Sequence, residues 1–179
     1  YSVIEEDIAK LCIVRYLTPE IFHRLPAQGQ VIPTPRSGER VLFVSRFLHG
    51  LGFVLNPFVR GLMFYYGLDF HDLAPDSILL ISTFIVTCEA LLRTPSHFGL
   101  WLKTFDVRPQ VAEEEQAECG SVIIGKLAGA VWPEGSFATS SVRWQQGWFY
   151  INEPRGPKGA STPVFRPGPP TQLASWVKK

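Results

Sequence analysis

Along the first 107 residues the apolar positions recur at helical spacing and are punctuated by helix-start signals. Ser2 followed by Glu5 makes a capping-box pattern, with Ile4, Ile8 and Leu11 at helical intervals behind it. Thr18-Pro19, Asn56-Pro57 and Thr94-Pro95 each set a side chain able to cap a helix before a proline at the first helical position, where the missing N–H costs nothing. The pattern predicts a helix starting at each pair. A further helix is expected over roughly Glu39 to His49, carrying Val41, Val44 and Leu48 beside Phe43 and Phe47, with Gly50 and Gly52 stopping it. Asp76 is expected to cap a long helix from Ser77 to about Arg93, whose polar arc holds Ser82, Glu89 and Arg93. So apolar a helix is expected at the centre, covered on nearly every side. In the helix expected from Pro95, Phe98, Trp101, Leu102 and Phe105 fall at i, i+3, i+4 and i+7 and predict one aromatic face packed inward. The cap-proline pairs recur at a period of 38, but side-chain identity between the periods is low. Ordinary helix and loop packing explains them better than a solenoid.

From Val111 the pattern changes. Glu113-Glu114-Glu115 and Glu118 form an acidic run that reads as a solvated linker or an exposed helix end. Ser121-Val122-Ile123-Ile124 is short and β-branched, and Trp148-Phe149-Tyr150-Ile151 is an aromatic run after Gly147, so short strands are expected in both places. Six prolines among the nineteen residues from Glu153 to Thr171 predict an extended, polyproline-like tail. The expected fold class is mostly α, or α+β overall: a compact body of about five helices over residues 1–109, an acidic linker over 110–120, and a segment of short strands with a proline-rich tail over 121–179, packed on the body as one domain.

Composition narrows the class of molecule. Of the 179 residues 46% are apolar, 13% aromatic and 18% charged, against a usual charged share of about 25%, which supports a packed core and excludes global disorder. The net charge of +1 advertises neither a polyanion nor a membrane partner. Three cysteines, Cys12, Cys88 and Cys119, with no CxxC spacing, argue against a disulfide scaffold and a zinc ribbon. Cys12 and Cys88 lie in apolar patterns and read as small buried hydrophobes. An intracellular location, cytoplasmic or nuclear, is expected. The most apolar stretch, Ser77 to Cys88, runs twelve residues, short of the roughly 20 a membrane-spanning helix needs. The start Tyr1-Ser2-Val3 has no initiator Met and no leader pattern, so an excised fragment without a signal peptide is expected.

The sequence offers little catalytic chemistry. Asp69, His71, Asp72 and Asp76 are the densest titratable cluster and could in principle hold a metal for nuclease chemistry, but Asp76 is explained as a cap and the others as loop residues that satisfy backbone donors. The four histidines show no HxxxH spacing, and neither GxSxG nor GxxxxGK[ST] is present. No catalytic residue, cofactor or metal is expected. Arg143, Trp144, Trp148 and Tyr150 are the candidate partner surface, because exposed aromatics beside a basic side chain stack nucleic-acid bases. The competing reading puts these rings in the core of the C-terminal part. Seven Lys/Arg against six Asp/Glu from residue 111 onward give no field to draw in a phosphate backbone.

An ordered series of motifs carries a family resemblance. Gln30-Val31-Ile32-Pro33-Thr34-Pro35, Val41-Leu42-Phe43-Val44, Gly50-Leu51-Gly52-Phe53, Asn56-Pro57-Phe58-Val59-Arg60-Gly61-Leu62 and Tyr65-Tyr66-Gly67-Leu68 come first. Leu73-Ala74-Pro75-Asp76-Ser77-Ile78, Phe84 to Leu91, and His97-Phe98-Gly99-Leu100-Trp101 follow. Together they resemble the plant "putative gypsy-type transposon" domain, and Trp132-Pro133-Glu134-Gly135, Gly147 to Ile151 and Ser175-Trp176 are similar to the segment that follows it. The usual Pro-Asn-Ser of that family stands here as Pro75-Asp76-Ser77. The resemblance implies a gag-like protein of plant long-terminal-repeat elements, or a copy held in a host gene, with no enzymatic activity. The expected function is a non-enzymatic module for self-association or protein–protein contact, with protein as the first partner. The alternative is binding of single-stranded RNA or DNA, and neither a membrane nor a small-molecule substrate is expected.

Overall fold

A computed structural model describes residues 3–17, 21–52, 55–109, 120, 122–132 and 144–152. In chain order the elements are α1 (Glu5–Ile13), β1 (His23–Arg24), β2 (Glu39–Phe43), α2 (Val44–Leu48), α3 (Pro57–Tyr66), α4 (Pro75–Val86), α5 (Phe98–Thr104), β3 (Phe105–Pro109), β4 (Val122–Lys126) and β5 (Trp148–Asn152). Five helices and five strands among the described residues make the class α+β. Strands β1, β2 and β3 lie within residues 1–109, expected as a body of helices and loops, which corrects that reading. Two compact units divide the chain: Tyr1–Leu55 with Ser141–Val164, and Asn56–Ser140 with Phe165–Lys179.

The first unit is organised by β5, which pairs antiparallel with β1 on one side and β2 on the other. As the middle strand it is buried from Trp148 to Ile151 on both faces, which explains an unbroken apolar run with no alternation. Phe149 stacks against Phe47 of α2 with ring centroids 6.0 Å apart. The helix expected over Glu39 to His49 is therefore half strand. Glu39–Phe43 take ladder bonds from β5, and Val44–Leu48 coil. Val41 and Phe43 suit a half-buried pleated surface, and β5 decides their conformation where local spacing did not. Gly50 follows α2 with φ of 98°, in its expected role as a stop. Helix α1 begins after Ile4, whose N–H donates to the Asp7 carboxylate at 3.1 Å, and its acidic first turn suits the positive end of the helix dipole. Ser2, the expected cap, and the Thr18-Pro19 start lie outside the described residues.

In the second unit α3 starts where expected. The Asn56 side chain accepts from the Phe58 N–H at 2.8 Å, Pro57 occupies the first turn, and Gly67 closes the helix in the left-handed region at φ 67°. Helix α4 departs from expectation at its two ends. It begins at Pro75, so Asp76 stands in its first turn and does not cap it. Along it Pro75, Ser77, Ile78, Ile81 and Phe84 are buried, Leu79, Leu80, Ser82, Thr83 and Ile85 are half-buried, and Asp76 and Val86 are exposed, so most of its circumference is covered, as expected. After Val86 a π-turn over Thr87–Leu91 ends the helix, and Arg93 takes a left-handed φ of 53°. The next helix consequently starts at Phe98 instead of Pro95, with the His97 ring nitrogen accepting from the Gly99 N–H at 3.1 Å. Phe98, Trp101 and Phe105 are buried as expected, but Leu102 of that face is exposed. Phe84 gathers the aromatic core, with Phe58 and Trp101 rings at 5.2 Å and Trp132 at 5.4 Å. Strand β3 pairs antiparallel with β4, which lies where the Val122-Ile123-Ile124 run predicted it. Cys88 is buried and Cys12 half-buried, and burial pushes the Cys88 thiol up. The acidic run 113–118, Cys119 and the proline-rich segment from Glu153 lie outside the described residues.

Candidate functional site

The aromatic residues singled out as a partner surface lie largely inside the first unit. Trp148 is 3% exposed and Tyr150 0%, because both belong to the central strand. Their rings meet edge to face at 5.0 Å. Trp144 is half-buried in a 3₁₀ turn over Trp144–Gln146, edge-on to Phe43 at 4.9 Å. The buried Arg46 guanidinium lies 5.0 Å from the ring centres of both Phe43 and Trp144. Arg143 lies outside the described residues. The rings that base stacking needs are thus turned inward at Trp148 and Tyr150.

Tyr150 is instead the hub of a polar network that the sequence did not advertise. Its hydroxyl oxygen accepts from the Thr34 N–H at 2.8 Å and from Gln30 Nε2 at 2.9 Å. Arg24 lies over its ring at 3.7 Å and donates to both carboxylate oxygens of Glu39. Burial alone would push the Tyr150 hydroxyl up, but the donors aimed at its oxygen, the Thr34 N–H first, outweigh burial and hold it below the ordinary tyrosine value. Glu39 is lowered from 4.5 to about 2 by the Arg24 hydrogen bonds, against burial and with help from the Arg36 N–H.

Between the turns on either side of this network runs a loop. Gln30 N–H bonds back to the Ala27 carbonyl at 2.9 Å across Gly29, φ 79°, and Glu39 N–H bonds back to Arg36 at 2.9 Å across Gly38, φ 81°. Both are turns that demand a glycine at the left-handed position. The Gln30 side chain sits beneath the loop: Oε1 accepts from the Ala27 N–H at 3.0 Å, and the two Nε2 protons face Ile32 O at 3.1 Å, Thr34 Oγ1 at 2.7 Å and the Tyr150 hydroxyl.

The acidic cluster is local scaffolding. Asp69 accepts from the His71 N–H at 3.2 Å, Asp72 accepts from the Asp69 N–H at 2.7 Å, and the His71 ring sits 3.2 Å from Asp69. Among the described residues no three His, Cys, Asp or Glu side chains come together in a way that could hold a metal ion.

Residues 41–109 match the family model described as "Putative gypsy type transposon". That stretch is similar to a gypsy-type transposon-related domain. No curated protein and no solved structure matches the chain. The matched segment runs from within β2 to the end of β3 and so includes the exposed Phe64, Val86, Leu91 and Leu92, while Gln30 and Tyr150 fall outside it. The family description names no catalytic activity. No helix among the described residues is long and apolar enough to cross a membrane.

Proposed function

We propose that the chain is a non-enzymatic, gag-like structural module of a transposon-derived protein, acting through protein contact and self-association. The observation that supports this is apolar surface within the transposon-related segment. Phe64 on α3, Val86 on α4 and Leu91 and Leu92 just after it are each more than half exposed, Leu91 at 73%. Val86, Leu91 and Leu92 fall within seven residues of one another in the chain, and large apolar side chains exposed close together mark contact sites where isolated ones would need no explanation. The near-neutral charge and the inward-turned Trp148 and Tyr150 rings favour protein over nucleic acid as the partner.

Size-exclusion chromatography with light scattering tests the reading. The mass should rise above the 20.1 kDa of a single chain as concentration increases, and Leu91→Asp with Leu92→Asp should return it toward the monomer. A chain strictly monomeric up to its solubility limit removes self-association. Salt-dependent binding of single-stranded RNA by that monomer would overturn the reading as a whole.

A further inference from the structure

The loop between the two glycine turns presents apolar side chains outward while its backbone is held from beneath. Val31 is 84% exposed and Ile32 73%, followed by Pro33, Thr34, Pro35 and the exposed Arg36. Proline fixes φ near that of the polyproline helix at 33 and 35 and biases Thr34, between them, toward the same extended region, while the chain bends at Ile32 and so turns Val31 and Ile32 away from the line of the prolines. The Gln30 amide and the Tyr150 hydroxyl then tie down Ile32 O, Thr34 Oγ1 and the Thr34 N–H. Such bracing does nothing for the two side chains that stay in water. What it does is remove, before any encounter, the ordering cost that a free proline-containing segment would meet on binding.

Backbone chemistry selects the kind of partner. Addition to a sheet edge needs a row of free N–H groups, but Pro33 and Pro35 have none and the N–H groups of Thr34 and Arg36 are already bonded to Tyr150 and Glu39. No aromatic ring is present between Val31 and Arg36 to stack on a base or sit at a lipid interface. A single positive charge at one end is too little to hold a phosphate surface. Aliphatic side chains, two prolines and a terminal cation match instead a protein groove lined by flat aromatic rings, with a shallow apolar pocket and an acidic side chain opposite Arg36.

We propose that residues 31–36 are a preformed docking ligand for a protein domain with an aromatic-lined, polyproline-binding groove. This rests on the protein-contact reading above and names a partner class and a segment for it. The test titrates the whole chain, labelled with nitrogen-15, with a panel of isolated SH3, WW and EVH1 domains, followed by calorimetry and amide shifts. At least one domain should bind, with shifts concentrated in residues 27–39. Ile32→Asp, a change at an exposed position, should weaken binding about tenfold or more. Arg36→Glu should weaken it as well. Gln30→Ala should lower affinity toward that of a synthetic peptide of residues 30–36, separating the brace from the contact itself; circular dichroism checks that each variant is folded. A panel that is silent, or binding unchanged by Ile32→Asp and Arg36→Glu, overturns the proposal. Binding to anionic vesicles or single-stranded RNA that Ile32→Asp abolishes overturns it too, by giving the segment to another class of partner. Light scattering on the same samples keeps the two readings apart: self-association beside a silent panel defeats the docking ligand alone.

Discussion

The Tyr150 hydroxyl reaches its partners across most of the chain, with Gln30 lying 120 residues away in sequence. That distance explains what could be read of the site beforehand. Trp144, Trp148 and Tyr150 stood out by residue type, but Trp148-Phe149-Tyr150-Ile151 is apolar at every position, so no alternation says which ring faces water. Gln30, Arg24 and Glu39 carry no local signal at all, because each is a common surface residue until β5 arrives beside it. The network has a measurable signature in acid. Glu39 has its folded value depressed from 4.5 to about 2, so its ion pair with Arg24 stabilises the fold fully above 4.5 and loses that contribution as pH falls toward 2. Thermal unfolding of the natural chain and of Glu39→Gln should therefore differ by a constant margin at neutral and mildly acidic pH, and the margin should close between 4.5 and 2. A gap that stays constant down to the acid limit would show that Glu39 does not titrate in this way.

Elements whose signals are local were legible, and those settled by a distant partner were not. Helix α3 is the clearest legible case, with Asn56, Pro57 and Gly67 each doing at its end what its chemistry predicts. A Cβ at Gly67 would meet nothing within 4 Å, so Gly67→Ala tests backbone conformation free of packing. It should cost roughly 1 kcal/mol, from the penalty of holding an alanine at positive φ, measured as a shift in the urea midpoint with an unchanged slope. No shift would mean that the turn relaxes out of the left-handed region. Strands β4 and β5 were legible as short β-branched and aromatic runs. Strands β2 and β3 were not, because Val41, Val44 and Leu48 keep helical spacing across the point where β2 gives way to α2, and Phe105 continues the face of α5 into β3. Helical periodicity in both places describes real neighbours but says nothing of the strand that will pair. The exposed Leu91 and Leu92 show the converse limit: apolar residues continue past Val86, where α4 ends, so composition did not mark that end.

At the scale of the whole molecule, the first unit is assembled from both sides of the second, Tyr1–Leu55 being completed by Ser141–Val164. A charge at the centre of β5 should therefore act on residues far earlier in the chain. Phe149 is fully buried, and Phe149→Asp, which places an unpaired carboxylate there, should cost more than about 4 kcal/mol. Hydrogen exchange would show loss of protection in β1 and β2 while the amides of α3 and α4 keep theirs; equal loss in both units would mean that they unfold together. The strand order has a further consequence, in time. β1 and β2 flank β5 and do not pair with each other, and roughly a hundred residues separate the end of β2 from the start of β5. At a synthesis rate of about 5–20 residues per second, the two edge strands wait some 5–20 s on the ribosome before their shared partner is made. During that interval Val41, Leu42 and Phe43 are a short unpaired strand of apolar side chains, and the nascent chain is then most open to chaperones and to strands of its neighbours.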